Sequence, residues 1–255
     1  MAKRARLDLL LVERGLFATR SKASAAVMAG AVLVDGKPAL KAGESVAEDA
    51  TLSLKSNPCP FVSRGGLKLR AALDAYPSIN VQDRVCLDVG ASTGGFTDCL
   101  LQAGASRVYA FDVGTAQLHS KLKADPRVVS RENTHAKHLD PEWFSSRPTL
   151  AVVDVSFISL AQVLPFILPC LSGPRELIVL VKPQFEVGPK LAPKGVVREP
   201  AVRAQAVDKI RAAAKALGLA ERGLIESPAK GPKGNIEFLL WLAPDADAGF
   251  AKLAR

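Results

Sequence analysis

From about residue 84 onward, short apolar runs alternate with stretches in which apolar positions recur at helical spacing. The runs predict strands over residues 84–89, 107–112, 150–154 and 176–181. The intervening stretches predict helices over 96–103, 115–123, 159–168 and 200–217, the last opened by Glu199-Pro200 and closed by Gly218. Two further strands, 222–226 and 236–242, end the series. Alternation of this kind predicts an α/β domain built on a doubly wound, mostly parallel, Rossmann-like sheet.

The first fifty-odd residues follow another pattern. Leu7, Leu10 and Leu11 before Arg14-Gly15 suit a short helix ending at glycine. Thr19 suits the cap of a second helix over Arg20 to Ala29, closed by Gly30. Val32-Leu-Val-Asp-Gly-Lys-Pro reads as a hairpin, because Asp35-Gly36 accepts the positive φ angles of a type I′ turn. Val46 and Leu52–Leu54 add short strands. Asn57-Pro58-Cys59-Pro60 suits neither helix nor central strand. The expected organisation is a small α+β domain over residues 3–56, a linker over 57–62 and the larger domain over 63–246.

Composition narrows the partners. The 255 residues carry 48% hydrophobic and 23% charged side chains, enough for a proper core, and a net charge of +9. A basic balance favours polyanions, nucleic acid before acidic membrane. Four scattered cysteines form no Cys-x-x-Cys pair, and Cys86 and Cys170, set in apolar runs, read as buried thiols of a reducing compartment. His135 and His138 stand without other ligand types and read as polar loop residues, so no metal is expected. Nothing after Met1-Ala-Lys-Arg resembles a secretory signal. The longest apolar stretch, Leu150 to Leu171, is broken by Asp154, Pro165 and Pro169 and is better read as strand plus helix than as a membrane span. Cytoplasmic residence is the expectation.

Candidate chemistry sits where the strands end. Val85-Cys-Leu-Asp-Val-Gly-Ala-Ser-Thr-Gly-Gly-Phe-Thr-Asp98 is a strand, a glycine turn and a helix start. Gly90, Gly94 and Gly95 allow tight turning and close approach of a ligand. Asp112 ends the next strand, where a carboxylate can accept both hydroxyls of a ribose. The spacing fits neither the dinucleotide fingerprint nor the phosphate loop, so an adenosine ligand without pyrophosphate, S-adenosylmethionine, fits better. Lys68 precedes the first strand, Asp154 and Lys182 end later ones, and Glu237 lies in Gly-Asn-Ile-Glu-Phe. Charges beside apolar runs are costly unless paired. In the small domain Arg4, Arg6, Arg20 and Lys22 offer phosphate contacts, with Arg20 and Lys22 at a helix N-terminus.

Two resemblances sharpen this reading. Arg6-Leu-Asp-Leu-Leu-Leu-Val-Glu-Arg-Gly, Ser21-Lys-Ala-Ser-Ala-Ala and Gly30-Ala-Val-Leu-Val-Asp-Gly-Lys resemble the RNA-binding domain named after ribosomal protein S-four. Val62-Ser-Arg-Gly-Gly-Leu-Lys, the glycine-turn motif, Val153-Asp-Val-Ser-Phe-Ile-Ser-Leu and Val181-Lys-Pro-Gln-Phe-Glu resemble the FtsJ-like methyltransferases, and within them the hemolysin-named TlyA family. The resemblance spans nearly the whole chain. It implies an S-adenosylmethionine-dependent 2′-O-methyltransferase of ribosomal RNA, with a cytidine ribose as acceptor and ribosomal RNA or subunits as partners. It places the family's Lys-Asp-Lys-Glu tetrad on Lys68, Asp154, Lys182 and Glu237. It implies cofactor contacts from Asp88, Gly90, Ser92, Gly94, Gly95, Phe96, Asp112, Glu132 and Thr134. One departure is local: where the family tends to read Glu-Arg-Thr-Asn, this chain has Glu132-Asn-Thr-His135.

In that scheme Lys182 lies nearest the acceptor hydroxyl, as base or as oxyanion stabiliser, a choice the sequence leaves open. Lys68 supplies a neighbouring cation, and Asp154 and Glu237 fix the amine. Two other classes compete with this reading: a non-catalytic RNA-binding assembly factor, against which the intact tetrad speaks, and a membrane-active hemolysin, for which the sequence offers no signal, span or strongly amphipathic helix. Oligomeric state is not legible.

Overall fold

The computed structural model describes residues 3–28, 30–54 and 59–245. Its backbone contacts divide the chain into two units after Pro60.

In the first unit, β1 (Arg4–Arg6) leads into α1 (Leu7–Glu13), then α2 (Arg20–Met28), β2 (Val32–Val34), β3 (Lys37–Pro38), β4 (Ser45–Ala47) and β5 (Leu52–Leu54). β1 pairs antiparallel with β4, and β2 lies between β3 and β5. Asp35 and Gly36 take φ of 50° and 77°, the type I′ geometry expected of the hairpin. Thr19 Oγ1 accepts from the Lys22 amide at 3.3 Å, as a helix cap should. The core is Leu7, Leu10, Leu11, Ala23, Val27, Val32 and Val46. Ala29 and the first two residues of the expected linker, Asn57 and Pro58, lie outside the described residues.

The second unit runs α3 (Gly65–Ala75), β6 (Val85–Val89), α4 (Gly95–Gln102), β7 (Arg107–Phe111), α5 (Ser120–Lys123), β8 (Val128–Arg131), β9 (Leu150–Val153), α6 (Leu160–Ile167), β10 (Glu176–Val181), α7 (Pro183–Glu186), α8 (Pro200–Ala216), β11 (Leu219–Glu226) and β12 (Phe238–Pro244). Seven strands form one sheet in the order β11-β12-β10-β9-β6-β7-β8. It is parallel from β10 to β8, with β12 antiparallel to both its neighbours. Chain order reverses between β6 and β9, which makes their carboxyl ends the switch point where such sheets bind ligands.

The structure adds to and trims the predicted elements. Phe61 and Val62, assigned by sequence to the linker, are integral to the second unit. A Cβ on Gly66 would lie 2.3 Å from the Phe61 ring, and the Val62 amide donates to Asp98 at 2.8 Å. The expected helix over 115–123 is only Ser120–Lys123. Ala116 takes φ of 52°, and the amides of Ala116, Gln117 and Leu118 all donate to Glu132 instead of entering a helical ladder. β1, α3, β8 and the short α7 were not foreseen. α3 begins on two glycines, poor helix formers, and β8 is an exposed edge strand with little apolar signal.

Candidate active site

The apolar residues of β6 deliver the chain to Gly90, whose φ is +87° and whose amide donates to Phe111 O at 2.8 Å. A Cβ there would lie 2.3 Å from the carbonyl oxygen of Asp154, so glycine is demanded by the crossing of two strand ends. Gly94 caps α4 at φ +98°, and a Cβ on it would strike Leu122 at 2.2 Å. Gly95 lies against Ser63 and the Gly66 amide of α3. All three glycines are packed closely against protein atoms, and Gly90 and Gly95 also line a cavity.

Asp112, just beyond β7, is fixed from two sides. Its Oδ2 accepts from the Ser92 amide and its Oδ1 from the Gly114 amide, both at 2.7 Å. Each oxygen keeps capacity to accept from a hydroxyl. Asp112 lines a cavity of about 1290 Å³ with Thr134, Ala136, Val155, Phe157 and Ile158. A diol acceptor beside apolar walls suits an adenosine. A second cavity of about 770 Å³ contains Ser63, Gly65, Lys68, Phe96 and the 229–234 loop. Gly90, Ser92 and Asp154 line both. The donor set thus fits S-adenosylmethionine, which Asp112, Ser92, Gly90 and Thr134 would hold.

The tetrad is brought together as two ion pairs. Lys182 Nζ lies 2.6 Å from Asp154 Oδ1 and donates to Ser156 Oγ at 2.8 Å. The contact with Asp154 is electrostatic and lacks hydrogen-bond alignment. Lys68 Nζ donates to Glu237 Oε2 at 2.6 Å. Glu237 is wholly buried, and Gln184 donates to its other oxygen at 3.3 Å. Lys68 and Asp154 line the cavity wall, the Lys182 side chain keeps 10% exposure beside Asp154, and Glu237 is wholly buried. The expectation that Glu237 would orient Lys182 is corrected: Glu237 holds Lys68, because α3 and the segment before β12 put those two charges together.

Other predicted residues are placed variously. Asp88 lines neither cavity. It is fully buried, accepts from Thr97 Oγ1 at 2.6 Å, and its Oδ1 has no protein partner. Burial pushes its carboxyl up to about 7, aided by the nearby charges of Asp154 and Asp112. Glu132 also stays out of the cavities. The Lys123 ammonium and the Ala116 amide hold its carboxyl at about 2. It shapes the loop after β7 by accepting from the Ala116, Gln117 and Leu118 amides. His135 Nδ1 accepts from the Lys137 amide, and no cluster of metal-binding side chains exists among the described residues.

Sequence reasoning overlooked Ser156, Gln184 and Glu186. Glu186 is buried, accepts from the Ser159 hydroxyl and, at 2.8 Å, from the Leu160 amide, and so ties α7 to the start of α6. It also overlooked Phe157, 90% exposed at φ +63° and 5.0 Å, centroid to centroid, from Phe185. An exposed aromatic held in a left-handed conformation was the signal available only from the structure.

In the first unit, Arg6 and Arg20 converge on Asp8, at 3.0 and 2.8 Å. Their hydrogen bonds, Arg6 first, hold the Asp8 carboxyl at about 2. Arg4 is bound to Ser45 at 3.2 Å, and Lys22 is exposed.

Comparison with known proteins agrees with this geometry. The profile of the FtsJ-like methyltransferases matches residues 61–243, and that of the S4 domain matches residues 5–52. The Mycobacterium tuberculosis protein named 16S/23S rRNA (cytidine-2′-O)-methyltransferase TlyA is 47% identical over 249 residues, 97% of this chain and 92% of that one. Hemolysin A of Brachyspira hyodysenteriae is 39% identical, over 92% of this chain and 98% of that one. A solved structure from Streptococcus thermophilus, described as a hemolysin, is 42% identical, with a TM-score of 0.75 over 96% of this chain and 90% of that one. With an S4 domain followed by a methyltransferase domain, and with relatives this similar over nearly its full length, the chain belongs to the TlyA family of FtsJ-like, S-adenosylmethionine-dependent methyltransferases.

Proposed function

We propose that this chain methylates the 2′-oxygen of a cytidine in ribosomal RNA, in the cytoplasm, with the S4 domain supplying affinity for the RNA. The observation that carries the reading is the pair of lysine–carboxylate bridges at the sheet's switch point, beside the carboxylate fitted for a ribose.

S-adenosylmethionine supplies an electrophilic methyl group on a sulfonium. The protein must then align a weak nucleophile, the ribose hydroxyl, and accommodate the charge that grows on its oxygen. Lys182 is the group we assign to that oxygen. Asp154 and Ser156 fix the direction of its Nζ, an arrangement suited to stabilising the charge on that oxygen. Lys68, on the cavity wall and held by Glu237, adds a second positive group at the same edge. Phe157 and Phe185 offer apolar faces for the base of the acceptor nucleotide.

The test is transfer of tritiated methyl to ribosomal subunits from cells lacking this enzyme, with ribose-methylation mapping of the product. Absence of label in both subunits would refute the reading. The relative named Hemolysin A raises membrane damage as a second activity. No helix among the described residues is long and apolar enough to cross a membrane, and a liposome-leakage assay alongside separates the two.

A further inference from the structure

The second unit contains the same turn twice. Ala192-Pro-Lys-Gly195 and Gly231-Pro-Lys-Gly234 both place lysine in the left-handed region, Lys194 at φ 56°, ψ 21° and Lys233 at φ 58°, ψ 17°. Both follow it with a glycine of positive φ, 76° and 82°. In each, the glycine amide closes onto the carbonyl three residues back, at 2.9 and 3.1 Å. Non-glycine residues seldom adopt this backbone, and its persistence beside a functional cavity is a reason to look for a use.

The turns are fastened to each other and to the tetrad. Lys233 Nζ donates to Lys194 O at 2.9 Å, Asn235 Nδ2 donates to Gly195 O at 2.8 Å, and the Val197 amide donates to Asn235 Oδ1 at 3.0 Å. A Cβ on Gly231 would lie 2.0 Å from a Glu237 carboxylate oxygen, so the second turn is seated on that carboxylate. Lys230 and Lys233 are thereby set into the wall of the 770 Å³ cavity, with Arg64, Lys68 and Asp154. Of these cations Lys68 is bridged to Glu237, whereas Arg64, Lys230 and Lys233 make no ion pair among the described residues.

The acceptor chemistry says what such cations would meet. In RNA the carbon next to the one bearing the 2′-hydroxyl carries the 3′ phosphodiester. Any 2′-oxygen presented at Asp154 and Lys182 therefore brings a phosphate to the same wall, whatever the base. We propose that Lys230 and Lys233 hold the phosphodiester on the 3′ side of the methylated ribose. Lysine suits this as a point charge meeting a backbone whose sequence it does not read. This assignment rests on the RNA 2′-O-methyltransferase reading above.

The test uses the full-length chain carrying Lys230→Gln with Lys233→Asn, asparagine being chosen because it tolerates positive φ. Subunits from cells lacking the enzyme are titrated by filter binding and in the methyl-transfer assay, across a salt series. Half-saturation by the subunit is expected to rise about 10- to 100-fold near physiological salt, and the log–log salt slope to fall by about 1.4, at roughly 0.7 per contact on a single strand. Cofactor affinity by calorimetry should stay at the wild-type value, and Lys230→Arg with Lys233→Arg should restore subunit binding. Unchanged half-saturation and slope in the neutralised variant would overturn the proposal. So would a lowered maximal rate at unchanged half-saturation, because that would mean only that Glu237 had been disturbed. Failure of the methyltransferase reading would appear separately, as absence of transfer by the wild-type chain, with the binding titration still deciding the role of the two lysines.

Discussion

Glu237→Gln separates the structural from the chemical role of the buried pair. Glu237 has no exposure, and the side chain of Lys68, 2.6 Å away, is 12% exposed. The substitution preserves shape but leaves the ammonium facing a neutral amide. Loss of one partner of a buried pair costs about 3–5 kcal/mol. Lys68 lines the cavity and can gather water there, so the lower end, about 3 kcal/mol, is expected. Both tryptophans, Trp143 and Trp241, lie in the second unit, so their fluorescence during urea unfolding reports on that unit alone. Lys68→Met combined with Glu237→Leu removes both charges, and should recover at least about 2 kcal/mol over the single variant, since apolar replacement of a buried pair is often neutral. Methyl transfer should remain lost in both. A cost below about 1 kcal/mol for Glu237→Gln, or no recovery in the double variant, would show that the pair is not held by mutual compensation. Recovery of transfer along with stability would remove Lys68 and Glu237 from the chemistry.

Lys182→Ala should retain cofactor affinity and a normal melting curve while single-turnover transfer falls about two to four orders of magnitude; Lys182→Arg should keep substantial activity if the group acts as a cationic donor, and none if it must accept a proton. Asp112→Ala should weaken S-adenosylmethionine binding by about 1.5–3 kcal/mol in calorimetry, the scale of a hydrogen bond to a charged group; an unchanged affinity would remove it from the ribose site. Asp88, raised from 3.8 to about 7, binds a proton in the folded state that the unfolded chain has released. Its contribution therefore makes stability fall as pH rises from about 4 to 7, and Asp88→Asn should flatten that slope in thermal melts. Charge reversal of Arg4, Arg6, Arg20 and Lys22 should weaken RNA binding and flatten its salt dependence; unaltered affinity and slope would make the patch mere solvated surface.

The legible parts of this fold were those with one dominant physical signal. Leu150–Val153 and Leu177–Val181 are buried throughout, and only a central parallel strand asks for such runs, so the sheet and its terminal acids could be drawn in advance. α3 could not, because Gly65 and Gly66 argue locally against helix. They are there because the α3 backbone must lie against Gly95 and Phe61. The region after β7 was misread as a longer helix because Glu132, sixteen residues beyond Ala116, claims the amides a helix would use. That Lys68, Asp154, Lys182 and Glu237 pair as Lys68–Glu237 and Lys182–Asp154 was not legible. Sequence can bring charges to one edge of a sheet, while which ammonium faces which carboxylate depends on side-chain directions set by α3 and β12.

Because each tetrad lysine has its own carboxylate, the four groups sum to no net charge. A cationic methyl donor and a neutral demethylated product therefore meet nearly the same long-range potential from them, and the tetrad itself does little to retain spent cofactor. The field outside the cavity falls instead to the unbridged cations of its rim, and exposed charges are the ones that salt screens. Ionic strength should consequently act on how often RNA arrives and how long it stays, and leave the methyl-transfer step almost untouched.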